Sequence, residues 1–78
     1  FAPMLLNDFV QKFAGCFHQT DPATISGQTR FRELEEWGSM MALIVIAMVD
    51  SDFGKTVTAD DLKSAETVEA LFVLVKNK

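Results

Sequence analysis

Leu5, Leu6, Phe9, Val10, Phe13 and Phe17 recur at three- and four-residue intervals with polar residues between them. This is the stripe of an amphipathic helix from about Met4 to Phe17. Gly15 weakens its last turn, and Asp21-Pro22 marks the exit into a loop. Residues 18–37 have no sustained period and offer only Ile25, Phe31, Leu34 and Trp37 to a core. A loop of about 20 residues is long for a compact domain, so these four predict that it is packed down by its own side chains. Met40 to Asp52 reads as a second helix, apolar on nearly every face, and Gly54 of Phe53-Gly54 stands where a helix C-cap should. After a short extended link, Thr58 caps a brief helical segment running to about Ala65, with Asp60 and Asp61 at the positive end of its dipole. Thr67 caps a final helix that carries Val68, Leu71, Phe72 and Val75 on one side and Lys76 and Lys78 at its negative end. The pattern predicts an all-α fold, a small four-helix bundle with a long loop between helices 1 and 2 and a short third helix. No segment alternates with the period of a strand, and no internal repeat is present.

At 78 residues there is no room for a second core, so residues 4–78 read as a single domain. Phe1-Ala2-Pro3 reads as a cloning remnant ahead of a native start at Met4. Asn7, Asp8, Gln11 and Lys12 interrupt the apolar residues of the first helix, which is not the pattern of a signal peptide. The longest apolar run, Met40 to Val49, is ten residues, whereas a spanning helix needs about 20. The expectation is a soluble, cytoplasmic protein without a membrane partner. Eleven acidic and seven basic residues leave a net charge of −4, and Lys12, Arg30, Arg32, Lys55 and Lys63 are too scattered to form a basic stripe. Nucleic acid is therefore excluded as a partner. The single cysteine, Cys16, excludes an intrachain disulfide and suits a reducing compartment.

Few residues can carry chemistry. Cys16 lies beside core-facing Phe17 with nothing to lower its pKa. His18, two residues on, does not share its helix face, so the pair reads as structural rather than nucleophilic. Asp50, Asp52, Thr58 and Asp61 are spaced much as ligands of a calcium-binding EF-hand loop. Lys55 occupies the position of the sharp-turn glycine there, and Asp61 is too short for the closing bidentate glutamate, so a structural loop with solvated acids is expected. Glu33, Glu35 and Glu36 read as a cluster that keeps the loop soluble. The informative segment is Trp37-Gly38-Ser39-Met40-Met41, a serine at the mouth of a helix followed by an apolar pair. Met40, Met41 and Ile44 cannot all be buried together with Leu43, Val45, Ile46 and Val49. Apolar surface must therefore face outward beside Ser39, and such patches mark binding sites.

Glu36-Trp37-Gly38-Ser39-Met40, then Phe53-Gly54, then Val57-Thr58-Ala59-Asp60-Asp61, then Thr67-Val68, together resemble the acyl carrier protein family. The resemblance runs without a gap from Ser39 to Val75 and more loosely over residues 4–38. It implies that Ser39 is the attachment site of 4'-phosphopantetheine, transferred from coenzyme A by a phosphopantetheinyl transferase. It further implies that the arm's thiol holds an acyl group as a thioester, and that the chain is not itself an enzyme but presents cargo to acyl-loading and acyl-processing enzymes, as a monomer. The residue before the serine is commonly Asp in the family and is Gly38 here. Where the family lines its second helix with acids, this chain has Met41 and Ile44. Partners are therefore expected to dock on Met40, Met41 and Ile44, with Asp50 at the far end of the helix, in a specialised biosynthetic pathway. An aminoacyl or D-alanyl carrier would use the same serine and arm. An interaction or calcium-binding module would leave Ser39 unmodified.

Overall fold

The computed structural model describes residues 5–78, so Phe1-Ala2-Pro3 and Met4 lie outside the described residues. Among these residues the chain is helical, with no strand: α1 (Leu6–Gly15), α2 (Ser39–Phe53), α3 (Ala59–Ser64) and α4 (Val68–Lys76). The long loop and the short third helix stand where the pattern put them. No helix of the described residues is long and apolar enough to cross a membrane.

α1 packs against α4 and α2 and runs along the loop's first 3₁₀ turn, Pro22–Thr24, while α3 lies against α4. Phe9 and Phe13 of α1 are fully buried, as are Val45 and Val49 of α2 and Val68, Leu71 and Val75 of α4. Fully burying such side chains stabilises the fold by about 1.5–3 kcal/mol each relative to exposure. The phenylalanines of the described residues form one connected aromatic chain through the core, joined through the Phe9–Phe13 pair. Phe9 meets Phe53 at 5.4 Å and Phe72 at 5.7 Å between ring centroids, and Phe13 meets Phe17 at 5.5 Å and Phe31 at 5.4 Å.

The loop is ordered by packing and by its own turns. Ile25 and Phe31 are buried, and Leu34 and Trp37 pack half-buried against the same core. Asp21 caps the first 3₁₀ turn by accepting from the Ala23 N–H at 3.0 Å, and a second 3₁₀ turn spans Phe31–Glu33. The Val68 N–H donates to the Thr29 carbonyl at 3.1 Å and the Glu69 N–H to the Gly27 carbonyl at 2.8 Å, so the loop closes the N-terminus of α4. Thr67 adds a side-chain cap to the Ala70 N–H. α3 opens on a reciprocal capping box in which Thr58 Oγ accepts from the Asp61 N–H and Asp61 accepts from the Thr58 N–H. α2 ends at Gly54, whose φ of 67° is left-handed and favours glycine; its N–H donates to the Asp50 carbonyl at 3.1 Å.

One expectation about α2 is corrected. Met41 is not an outward docking residue: it is 5% exposed and points with Val45 and Val49 into the core. These three lie four residues apart, which places them on one face of the helix. Ile44 is half-buried against the core edge rather than free. The outward line is Met40, Leu43, Ala47 and Asp50, with Met40 74% and Leu43 66% exposed.

Candidate functional site

Ser39 is exposed and is the first residue of α2, immediately after the cap position. Gly38 occupies that cap position in extended backbone and brings no side chain, so no side-chain cap closes the first turn. The first intrahelical bond at this end runs from the Ala42 N–H to the Gly38 carbonyl at 3.0 Å. The N–H groups of Ser39, Met40 and Met41 therefore have no partner inside the helix. There is no acid in this turn. At the start of α4, by contrast, all three leading donors are taken, by the Thr29 and Gly27 carbonyls and by Thr67, and at α3 Thr58 takes the Asp61 N–H. An exposed hydroxyl thus stands at the positive end of a 15-residue helix whose leading donors are open.

The segment leading to Ser39 is held from two sides. Trp37 is half-buried, with its ring 5.0 Å from Phe31 in an edge arrangement and 6.4 Å from Phe17 in a stacked one. Glu36 accepts from the His18 N–H at 3.0 Å, the Gln19 N–H at 3.0 Å and the Thr20 hydroxyl at 2.9 Å. Partial desolvation raises the Glu36 pKa, but the bonds from His18, Thr20 and Gln19 outweigh it and hold the carboxyl below its usual range. The acidic cluster therefore divides. Glu36 is a structural acceptor, whereas Glu33 makes only an exposed 3.5 Å pair with Arg30, of a kind worth little.

Of the residues expected to contact partners, the structure brings Met40 to the surface beside Ser39 and leaves Asp50 exposed near the other end of α2. Met41 it buries. Leu43, not singled out from the sequence, is the second large apolar side chain on the outward line. The helical repeat from Met40 to Leu43 could have indicated it, had the inward face been known.

The remaining candidates have structural explanations. Cys16 is buried and its thiol donates to the Lys12 carbonyl at 3.5 Å. Burial, with the negative charge of Asp52 behind it, pushes that thiol above its ordinary pKa, the reverse of what activates a nucleophile. The EF-hand-like spacing is split across elements: Asp50 and Asp52 are in the last turns of α2, and Thr58 and Asp61 bond one another across the start of α3. Asp61 also pairs with Lys78 at 2.9 Å. Among the described residues no three His, Cys, Asp or Glu side chains converge as metal ligands.

Comparison with known proteins returns no match: no family model, no curated protein and no solved structure.

Proposed function

We propose that the chain is a carrier domain in which Ser39 bears 4'-phosphopantetheine and partner enzymes meet the outward face of α2. The observation that supports this reading is the exposed Ser39 hydroxyl at the uncapped, acid-free start of α2. A phosphopantetheinyl transferase would supply the base and the Mg²⁺ for the attachment. Ser39 Oγ bonds to the phosphorus of coenzyme A's phosphopantetheine and gives up its proton, and adenosine 3',5'-bisphosphate leaves. The unpartnered N–H groups of Ser39, Met40 and Met41 fit the negative charge of the phosphodiester that results, an interaction of about 0.3–1 kcal/mol at an exposed helix end. Once attached, the arm supplies the thiol on which acyl groups ride as thioesters.

This chain's own part is presentation. Met40 and Leu43 give acyl-loading and acyl-processing enzymes an apolar contact next to the attachment point, and Asp50 marks the other end of the same outward line. Ile44, at the edge of the core, borders this surface. The test is intact mass after incubation with coenzyme A, Mg²⁺ and a broad-specificity transferase, with Ser39→Ala alongside. A gain of one phosphopantetheine in the unaltered chain and none in the variant is expected. A folded sample that resists both this enzyme and the transferase of its own host would refute the reading.

A further inference from the structure

We infer that Glu36 is a positioning residue for Ser39: its carboxylate ties the chain leaving α1 to the chain entering α2 and thereby sets where the serine hydroxyl stands. Two backbone amides in succession, His18 and Gln19, and the Thr20 hydroxyl all donate to this one carboxylate. Bonds to an ionised acceptor are the strong kind, and two oxygens receiving three donors fix direction as well as distance. The tie is doubled one residue on either side. Trp37, next to Glu36, stacks on Phe17, next to His18. Carboxylate and indole thus clamp the same two stretches of chain, Phe17–Thr20 and Glu36–Trp37, at adjacent points. Only Gly38 separates the clamp from Ser39, and α2 begins there without a side-chain cap to locate its first turn. The position of Ser39 is accordingly governed from the Glu36 side. The hydrophilicity of a Glu33–Glu36 stretch would explain none of these three bonds.

The kinetic part of this inference rests on the carrier reading; the structural part does not. The test compares Glu36→Ala with Glu35→Ala, which removes an equal charge from an exposed neighbour. Two readouts are local: amide exchange at His18, Gln19 and Ser39 by NMR, and emission of Trp37, the single tryptophan. The third is kcat and KM for modification of Ser39 by the transferase. In Glu36→Ala, faster exchange at His18 and Gln19, a red-shifted Trp37 and a perturbed Ser39 amide are expected. A fall of about tenfold or more in kcat, with KM changed less, should accompany them, since misplacing a reacting group by about 1 Å can cost 10²-fold. Glu35→Ala should match the unaltered chain in every readout. Glu36→Gln, with one acceptor oxygen where there were two, should fall between. If Glu36→Ala does not fold, Thr20→Val removes one of the three bonds and should give a smaller change in the same direction. A folded Glu36→Ala with an unchanged Ser39 amide and Trp37 emission, or with unchanged kcat, overturns the inference. If the unaltered chain takes no phosphopantetheine, the carrier reading fails by itself, and the NMR and fluorescence readouts still decide whether Glu36 places Ser39.

Discussion

Replacing Gly38 by Asp should stabilise the protein, and the gain can be worked out from the start of α2. Gly38 is in extended backbone that any residue adopts, and a Cβ built there meets nothing within 4 Å. The substitution therefore brings neither strain nor a clash. An aspartate at this cap position can accept from the open N–H groups of the first turn, an improvement over glycine of a few tenths of a kcal/mol. Its charge at the positive helix end adds about 0.3–1 kcal/mol, and loss of glycine's freedom in the unfolded chain adds about 0.4–1 kcal/mol. These overlap, and about 1 kcal/mol is the expected sum. For a domain of this size that is roughly 4–8 °C in Tm. Thermal unfolding followed by circular dichroism at neutral pH measures it. The dipole share should shrink between 0.1 M and 1 M salt, as the screening length falls from about 10 Å to about 3 Å. A neutral or destabilising result at low salt would refute the picture of an open first turn. On the carrier reading, the variant also places before the serine the acid that the resemblance has there, and transfer of phosphopantetheine to Ser39 should quicken.

Further outcomes follow from the two faces of α2 and from the Asp61–Lys78 pair. Met41→Ala should cost about 2–3 kcal/mol in urea unfolding, by loss of a buried side chain. Met40→Ala and Leu43→Ala should stay within about 0.5 kcal/mol and, on the carrier reading, instead weaken turnover by partner enzymes. The bond from Lys78, helped by the Thr58 N–H, holds the Asp61 carboxyl below its ordinary 3.8. A depressed folded pKa means that its stabilisation is complete above pH ~3.8 and is lost as the pH falls through the lower folded value. The advantage of the unaltered chain over Asp61→Asn, at most about 1 kcal/mol for a partly exposed surface pair, should hold at pH 7 and shrink in acid. A difference that did not diminish as the pH fell below 3.8 would show that it comes from something other than this ionisation.

The parts of the fold that could be read in advance are those where one residue type has one physical reason to stand. Thr58 and Thr67 each precede a turn whose third N–H they accept, and Gly54 is in the left-handed region that a helix end favours. In the amphipathic helices the stripe named the buried residues Phe9 and Phe13 in α1 and Val68, Leu71, Phe72 and Val75 in α4, although Leu5, at the start of the α1 stripe, is 55% exposed. α2 offered no such contrast. With Met, Ala, Leu, Ile and Val on every side, its rotation is set by the neighbours it packs against, and the pattern alone does not separate buried Met41 from exposed Leu43. Glu36 was illegible for another reason. Its partners are backbone amides in a loop, and nothing in the identities of His18 and Gln19 announces an acceptor brought from the other end of that loop. Ser39 was legible as a helix start, though Gly38 takes the cap.

The bonds from Val68 and Glu69 to Thr29 and Gly27 join the last helix to a loop in the first half of the chain. On a ribosome, that loop would leave the exit tunnel long before the helix that completes it. Until α4 emerges, the Thr29 and Gly27 carbonyls lack these donors and face water. The loop should thus acquire its native shape in the final step of folding, when α4 seats against α1. A truncation that removed α4 would cost more than its own contacts, because it would return the loop, and with it the approach to Ser39, to an unfixed state.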